Sequence, residues 1–107
     1  MVVSNNPPFR NRVMSQITVV PNSGTDLATK DTIVYGVHIC NNTAGAVTFT
    51  LTDKQGTPLK IFNAQSIAAN SSLTVNWNEG IFCTGGLVWS AGAATSLHGY
   101  VDARYRQ

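Results

Sequence analysis

His38 and His98 are the only imidazoles of this 107-residue chain, Cys40 and Cys83 its only thiols, and Asp26, Asp31, Asp53, Glu79 and Asp102 its only carboxylates. Any metal site or acid–base pair has to be assembled from this short set. His38 and Cys40 are two positions apart, which puts both on one face of an extended strand. A zinc site needs three or four converging ligands, and no His-x-His, Cys-x-x-Cys or Glu-x-x-His spacing supplies the others. Asp26, Asp31, Asp53 and Glu79 fall in turns or at strand ends, where short acidic side chains cap and solvate loops. No serine stands in a Gly-x-Ser-x-Gly elbow. The expectation is a chain without catalytic residues, without a metal and without a cofactor.

Two other groups of side chains offer binding rather than catalysis. Trp77, Trp89, Tyr35, Tyr100 and Tyr105 invite comparison with platforms on which sugar rings stack. Trp77 shares parity with Leu73 and Val75 and is expected in the core, which leaves Trp89 and Tyr100 as the candidates for glycan stacking. The N-terminal stretch Asn5-Asn6-Pro7-Pro8 favours an extended, polyproline-like path and cannot donate a continuous ladder. Within it Phe9 is an apolar anchor flanked by Arg10 and, two positions on, Arg12. Pro7, Pro8, Phe9, Arg10 and Arg12 are therefore the expected partner-binding residues, suited to a neighbouring subunit with an acidic rim.

The elements that must position these groups are strands. Residues 31 to 53 hold two runs of period two joined by Asn41-Asn42-Thr43-Ala44-Gly45. Ile33, Tyr35, Val37 and Ile39 are expected on one face of the first run, and Val47, Phe49 and Leu51 on one face of the second, with Thr48, Thr50 and Thr52 opposite. The pattern reads as a half-buried β-hairpin. A first strand is expected from Val13 to Val20, closed by the turn Pro21-Asn22-Ser23-Gly24, and a looser segment runs to Asp31. Asp53-Lys54-Gln55-Gly56 makes a polar turn into Leu59-Lys60-Ile61-Phe62. Leu73, Val75 and Trp77 alternate with Thr74, Asn76 and Asn78. Gly80, Gly85 and Gly86 favour a bend or bulge before Leu87-Val88-Trp89-Ser90. The last run puts Leu97, Gly99, Val101, Ala103 and Tyr105 on one face and His98, Tyr100, Asp102, Arg104 and Arg106 on the other. No segment has helical period. The chain is predicted to be all-β, an antiparallel β-sandwich or jelly roll of seven or eight short strands over residues 13–107, with an extended N-terminal arm over residues 1–12.

Bulk composition narrows the partners. Only 11% of residues are charged, against about a quarter in an average soluble domain, so Thr, Ser and Asn must carry the surface. Such a surface suits contact with protein or sugar. A net charge of +2, with arginines mostly near the two ends, makes no case for nucleic acid. No apolar run approaches the roughly 18 residues a membrane span needs. Met1 to Asn6 lacks the basic and apolar regions of a signal peptide, so Cys40 and Cys83 are expected as buried thiols rather than a disulfide.

The phrases Val34-Tyr35-Gly36-Val37-His38-Ile39-Cys40-Asn41-Asn42-Thr43, Ala46 to Leu51, Ile67 to Ser72, Gly80-Ile81, Gly86 to Ser90 and Val101 to Arg106 resemble small β-sandwich virion proteins of tailed bacteriophages. The likeness spans about residues 33 to 106 and consists of strand-loop-strand phrases. It implies a non-enzymatic structural protein, a capsid decoration or cement protein that binds the major capsid protein or other virion subunits. It also implies a homo-oligomer, with a trimer favoured, made in the bacterial host cytoplasm and residing on the capsid surface. The alternative it leaves open is a tail or fibre component that binds host-surface glycan or neighbouring tail proteins.

Overall fold

The computed structural model describes residues 11–106. Within them the chain forms β1 (Thr18–Val19), β2 (Thr25–Ala28), β3 (Thr32–Asn41), β4 (Val47–Asp53), β5 (Lys60–Ile67), β6 (Ser72–Cys83), β7 (Leu87–Ala91) and β8 (Leu97–Tyr105), and no helix. These make two four-stranded antiparallel sheets, ordered β1-β8-β3-β6 and β2-β7-β4-β5. The first strand pairs with the last, the second with the seventh, the third with the sixth, and the fourth with the fifth. Both sheets contribute to one core, in which Val34, Val37, Ile39, Leu97 and Val101 of one meet Phe49, Leu51, Leu87 and Trp89 of the other. The result is a β-sandwich-like all-β fold.

The run from 31 to 53 is not a hairpin. β3 pairs with β6 and β8, whereas β4 pairs with β5 and β7, so the chain crosses from one sheet to the other at Asn41–Gly45. Two strands with an apolar face can bury those faces side by side in one sheet or face to face across a core. Here they do the second. Asn41 anchors the crossing: its side chain is buried, its amide donates to the carbonyls of Gly45, Ile67 and Ala68, and its Oδ1 accepts from the backbone and hydroxyl of Thr43. Each buried polar atom of the residue thus has a partner.

A second departure concerns parity along β3. Val34 lies opposite Ala103 and Gly36 opposite Asp102, so Tyr35 is an extra residue against β8. Against β6 the irregularity is larger, because Val34 faces Ile81 while Gly36 faces Asn76. Such a bulge shifts the alternation by one position. Val37 and Ile39 point inward as expected, but Ile33 and Tyr35 point outward and Val34 takes the core position. Gly80 lies where β6 detours around the bulge, with φ of 80°, and a Cβ there would run into the side chains of Ile33 and Tyr35.

Alternation on β4 and β8 is as the pattern indicated, with Val47, Phe49, Leu51, Leu97, Val101 and Ala103 buried. The first strand is shorter than expected. The backbone touches β8 at an isolated bridge between Arg12 and Arg104 and through the Val13 amide on Ala103, then leaves it until Thr18. In the gap the Val101 amide donates to the Met14 sulfur, a side-chain acceptor standing where a ladder carbonyl would be. Pairing of Tyr105 with Asn11 also shows that the last two residues assigned to the arm lie along β8. The loose segment before Asp31 contains β2, bulged between Asp26 and Ala28, which is too short to show a period.

Candidate functional site

The outward parity after the Tyr35 bulge places His38 and Cys40 on the exposed side of the β8–β3–β6 surface. Cross-strand register sets three rows there. Cys40 stands between Ser72 and His98, His38 between Thr74 and Tyr100, and Gly36 between Asn76 and Asp102. The His38 ring is held at both nitrogens, with Nδ1 2.7 Å from the Thr74 hydroxyl and Nε2 3.3 Å from the Cys40 sulfur. In a neutral ring one nitrogen donates and the other accepts, and both partners can take either role. Tyr100 stands beside it, ring centroids 5.9 Å apart.

Gly36 has no side chain to fill the middle of its row. The gap is a depression of about 110 Å³ walled by His38, Thr74, Asn76, Tyr100 and Asp102. It adjoins a larger hollow of about 420 Å³ lined by Tyr35, Asn76, Trp77, Asn78, Asp102 and Arg104. Asn76 and Asp102 are common to both, so the two form one groove across the sheet. The side chains of Asn76, Asn78 and Asp102 make no hydrogen bond or ion pair with any described group. Such donors and acceptors are available to a ligand. Thr74, Asn76 and Asn78 were legible as the polar side of a strand, but nothing local signalled that Asp102 would stand across Gly36 from them.

The aromatic candidates separate. Trp89 is 3% exposed and belongs to the core, so its ring faces are covered and it offers no stacking platform. Its edge lines a cavity of about 470 Å³ where β1 and β2 border the two sheets, together with Met14, Leu27 and Val19. Tyr100 is 36% exposed and on the grooved surface. Trp77 packs against the core through Phe62, 6.3 Å between centroids, while also lining the groove. Of the N-terminal candidates, Arg12 lies in the bridge to Arg104, and Pro7, Pro8, Phe9 and Arg10 lie outside the described residues.

At the opposite border, between β5 and β6, the sheets leave an apolar cleft of about 380 Å³ whose walls include Leu59, Ile61, Trp77, Ile81 and Phe82. Leu59 is 63% exposed and Phe82 48%, with the Arg106 guanidinium 5.2 Å from the Phe82 ring centre. Asp53 and Cys83 lie at its base. Burial, reinforced by the Asp53 charge, pushes the Cys83 thiol up to about 11, so it stays protonated and unreactive near neutral pH. Cys40 is only half-buried, a correction to the expectation that both thiols are enclosed. Cys83 pairs across from Thr32 and Cys40 lies eight positions further along β3, roughly 26 Å at strand rise, too far for a disulfide. Among the described residues no three His, Cys, Asp or Glu side chains are grouped so as to hold a metal ion. Comparison of the chain with protein-family models, with curated proteins and with solved structures finds no match in any of the three.

Proposed function

We propose that this chain is a non-enzymatic structural protein of a tailed-phage virion, a capsid decoration or cement protein that binds the head shell through its N-terminal arm and sandwich surface. The nested strand pairing carries the reading. The sheet orders β1-β8-β3-β6 and β2-β7-β4-β5 support reading the sandwich as a jelly roll, a long hairpin closed between β4 and β5 and rolled over itself. Jelly rolls recur in viral capsid and lectin domains, and the inference from fold to role is one of analogy. The apolar border supports it, because Leu59 and Phe82 offer an uncovered contact at the margin of both sheets. Arg12, Arg104, Ile33 and Phe82 follow one another across a single row, so the described chain begins at the same end of the sandwich as Phe82. Arm and cleft can then engage one shell subunit together, with a trimer of this chain multiplying the contact.

The test uses phage heads lacking the protein, reconstituted with purified chain and read by occupancy in electron micrographs. Wild type is expected to load fully, while deletion of residues 1–12 or the pair Leu59→Ser and Phe82→Ser should weaken loading about tenfold or more. Wild-type chain that ignores heads and binds only tails would overturn the cement role.

A further inference from the structure

The groove over Gly36 holds three polar side chains, those of Asn76, Asn78 and Asp102, that the fold does not use for hydrogen bonds of its own. Polar side chains facing solvent are ordinary on a strand, but here they surround a hollow. Asn76 and Asp102 flank it in register, Thr74 and Asn78 extend it along β6, and aromatic rings stand at both ends, Tyr100 at one and Tyr35 at the other. A Cβ on Gly36 would come within 2.6 Å of Asn76 Oδ1, so the floor exists only because that position is glycine.

We propose that this groove is a binding site for a neutral saccharide. A sugar ring presents hydroxyls around its rim and C–H bonds on its faces. Planar amides donate to and accept from adjacent hydroxyls and a carboxylate accepts from them, while Tyr rings cover the C–H face. Charge selects the class. The groove holds one carboxylate, Asp102, and one guanidinium, Arg104, which are not paired with each other. Their fields oppose, so a phosphate, a sulfate or an acidic sugar gains little, and a nucleic-acid backbone meets Asp102 at the centre. The volume of the larger hollow is within the range of small-ligand sites, and the site is mounted on the paired strands β8, β3 and β6 rather than on loops. His38, fixed between Thr74 and Cys40, is one wall of the smaller depression.

The experiment is an array of neutral hexose and N-acetylhexosamine oligosaccharides, with sialylated oligosaccharides and inorganic phosphate as comparisons. Hits are followed by amide chemical-shift titration of the full chain. Neutral members are expected to bind with dissociation constants on the order of 1 mM, moving the amides of Gly36, Asn76 and Asp102. Asp102→Ala and Asn76→Ala, both on the solvent side of their strands, should each weaken binding about tenfold without changing the melting temperature. Gly36→Ala should abolish it by displacing Asn76. Leu59→Ser, at the other border, should leave sugar binding intact while lowering head loading, which keeps this site distinguishable from the shell contact. Absence of shifts at those amides with every neutral sugar at about 10 mM, or preference for phosphate or sialylated ligands, overturns the proposal.

Discussion

Asp53 ends β4 with its carboxylate tucked under the turn that follows. Burial by itself would raise its pKa, but hydrogen bonds from the Gln55 side chain, the Leu59 amide at 2.9 Å and the Gln55 amide outweigh that cost and hold the carboxyl below its ordinary value. A depressed folded pKa means that the stabilisation is complete above the unfolded carboxylate value of about 3.9 and is lost as pH falls through the folded value. Asp53→Asn is expected to cost about 1–3 kcal/mol at pH 7 by urea unfolding, and the gap to wild type should close as pH is lowered below about 4. An equal deficit at pH 7 and at pH 2.5 would show that the role of Asp53 is not electrostatic. The sequence placed Asp53 in a polar turn, but the amide of Leu59, six residues on, is a partner that only the folded turn supplies.

The bulge shared by β3 and β6 is the element that makes the grooved surface. If β3 were unbulged, with Tyr35 taking a ladder place of its own, alternation from Val34 would turn His38 and Cys40 into the core and Val37 and Ile39 outward. Gly80 permits the detour on β6, combining a positive φ with contact against the Tyr35 ring, where a Cβ would come within 2.9 Å. Gly80→Ala should therefore destabilise by about 1–3 kcal/mol in thermal or urea melts. Gly45→Ala and Gly56→Ala, which meet nothing within 4 Å, should stay within about 0.5 kcal/mol of wild type. Equal effects at all three positions would remove the bulge as the cause. The glycine cluster near residue 80 did signal a bend in β6. Its partner on β3 carries no glycine at the extra residue, and so the shift in parity was invisible there.

Across the whole molecule, the first strand is paired with the last, and every strand pair except β4 with β5 joins residues distant in sequence. Closing such loops must precede the contacts that stabilise them, so refolding is expected on a timescale of about milliseconds to seconds. Stopped-flow Trp fluorescence measures it, and relaxation within microseconds would contradict the nested pairing. The amino-acid sequence by itself determined that the chain is all-β, which residues of β4 and β8 face inward, and that its surface is carried by hydroxyls and amides, because alternation and side-chain chemistry are local properties. Partner choice is not local. The same alternation in β3 and β4 fits a hairpin or two strands facing each other across a core, and only the packed structure, by burying both apolar faces at once, decided for the second. That decision also set Asp102 and Asn76 on either side of Gly36, two strands whose proximity no spacing in the chain records.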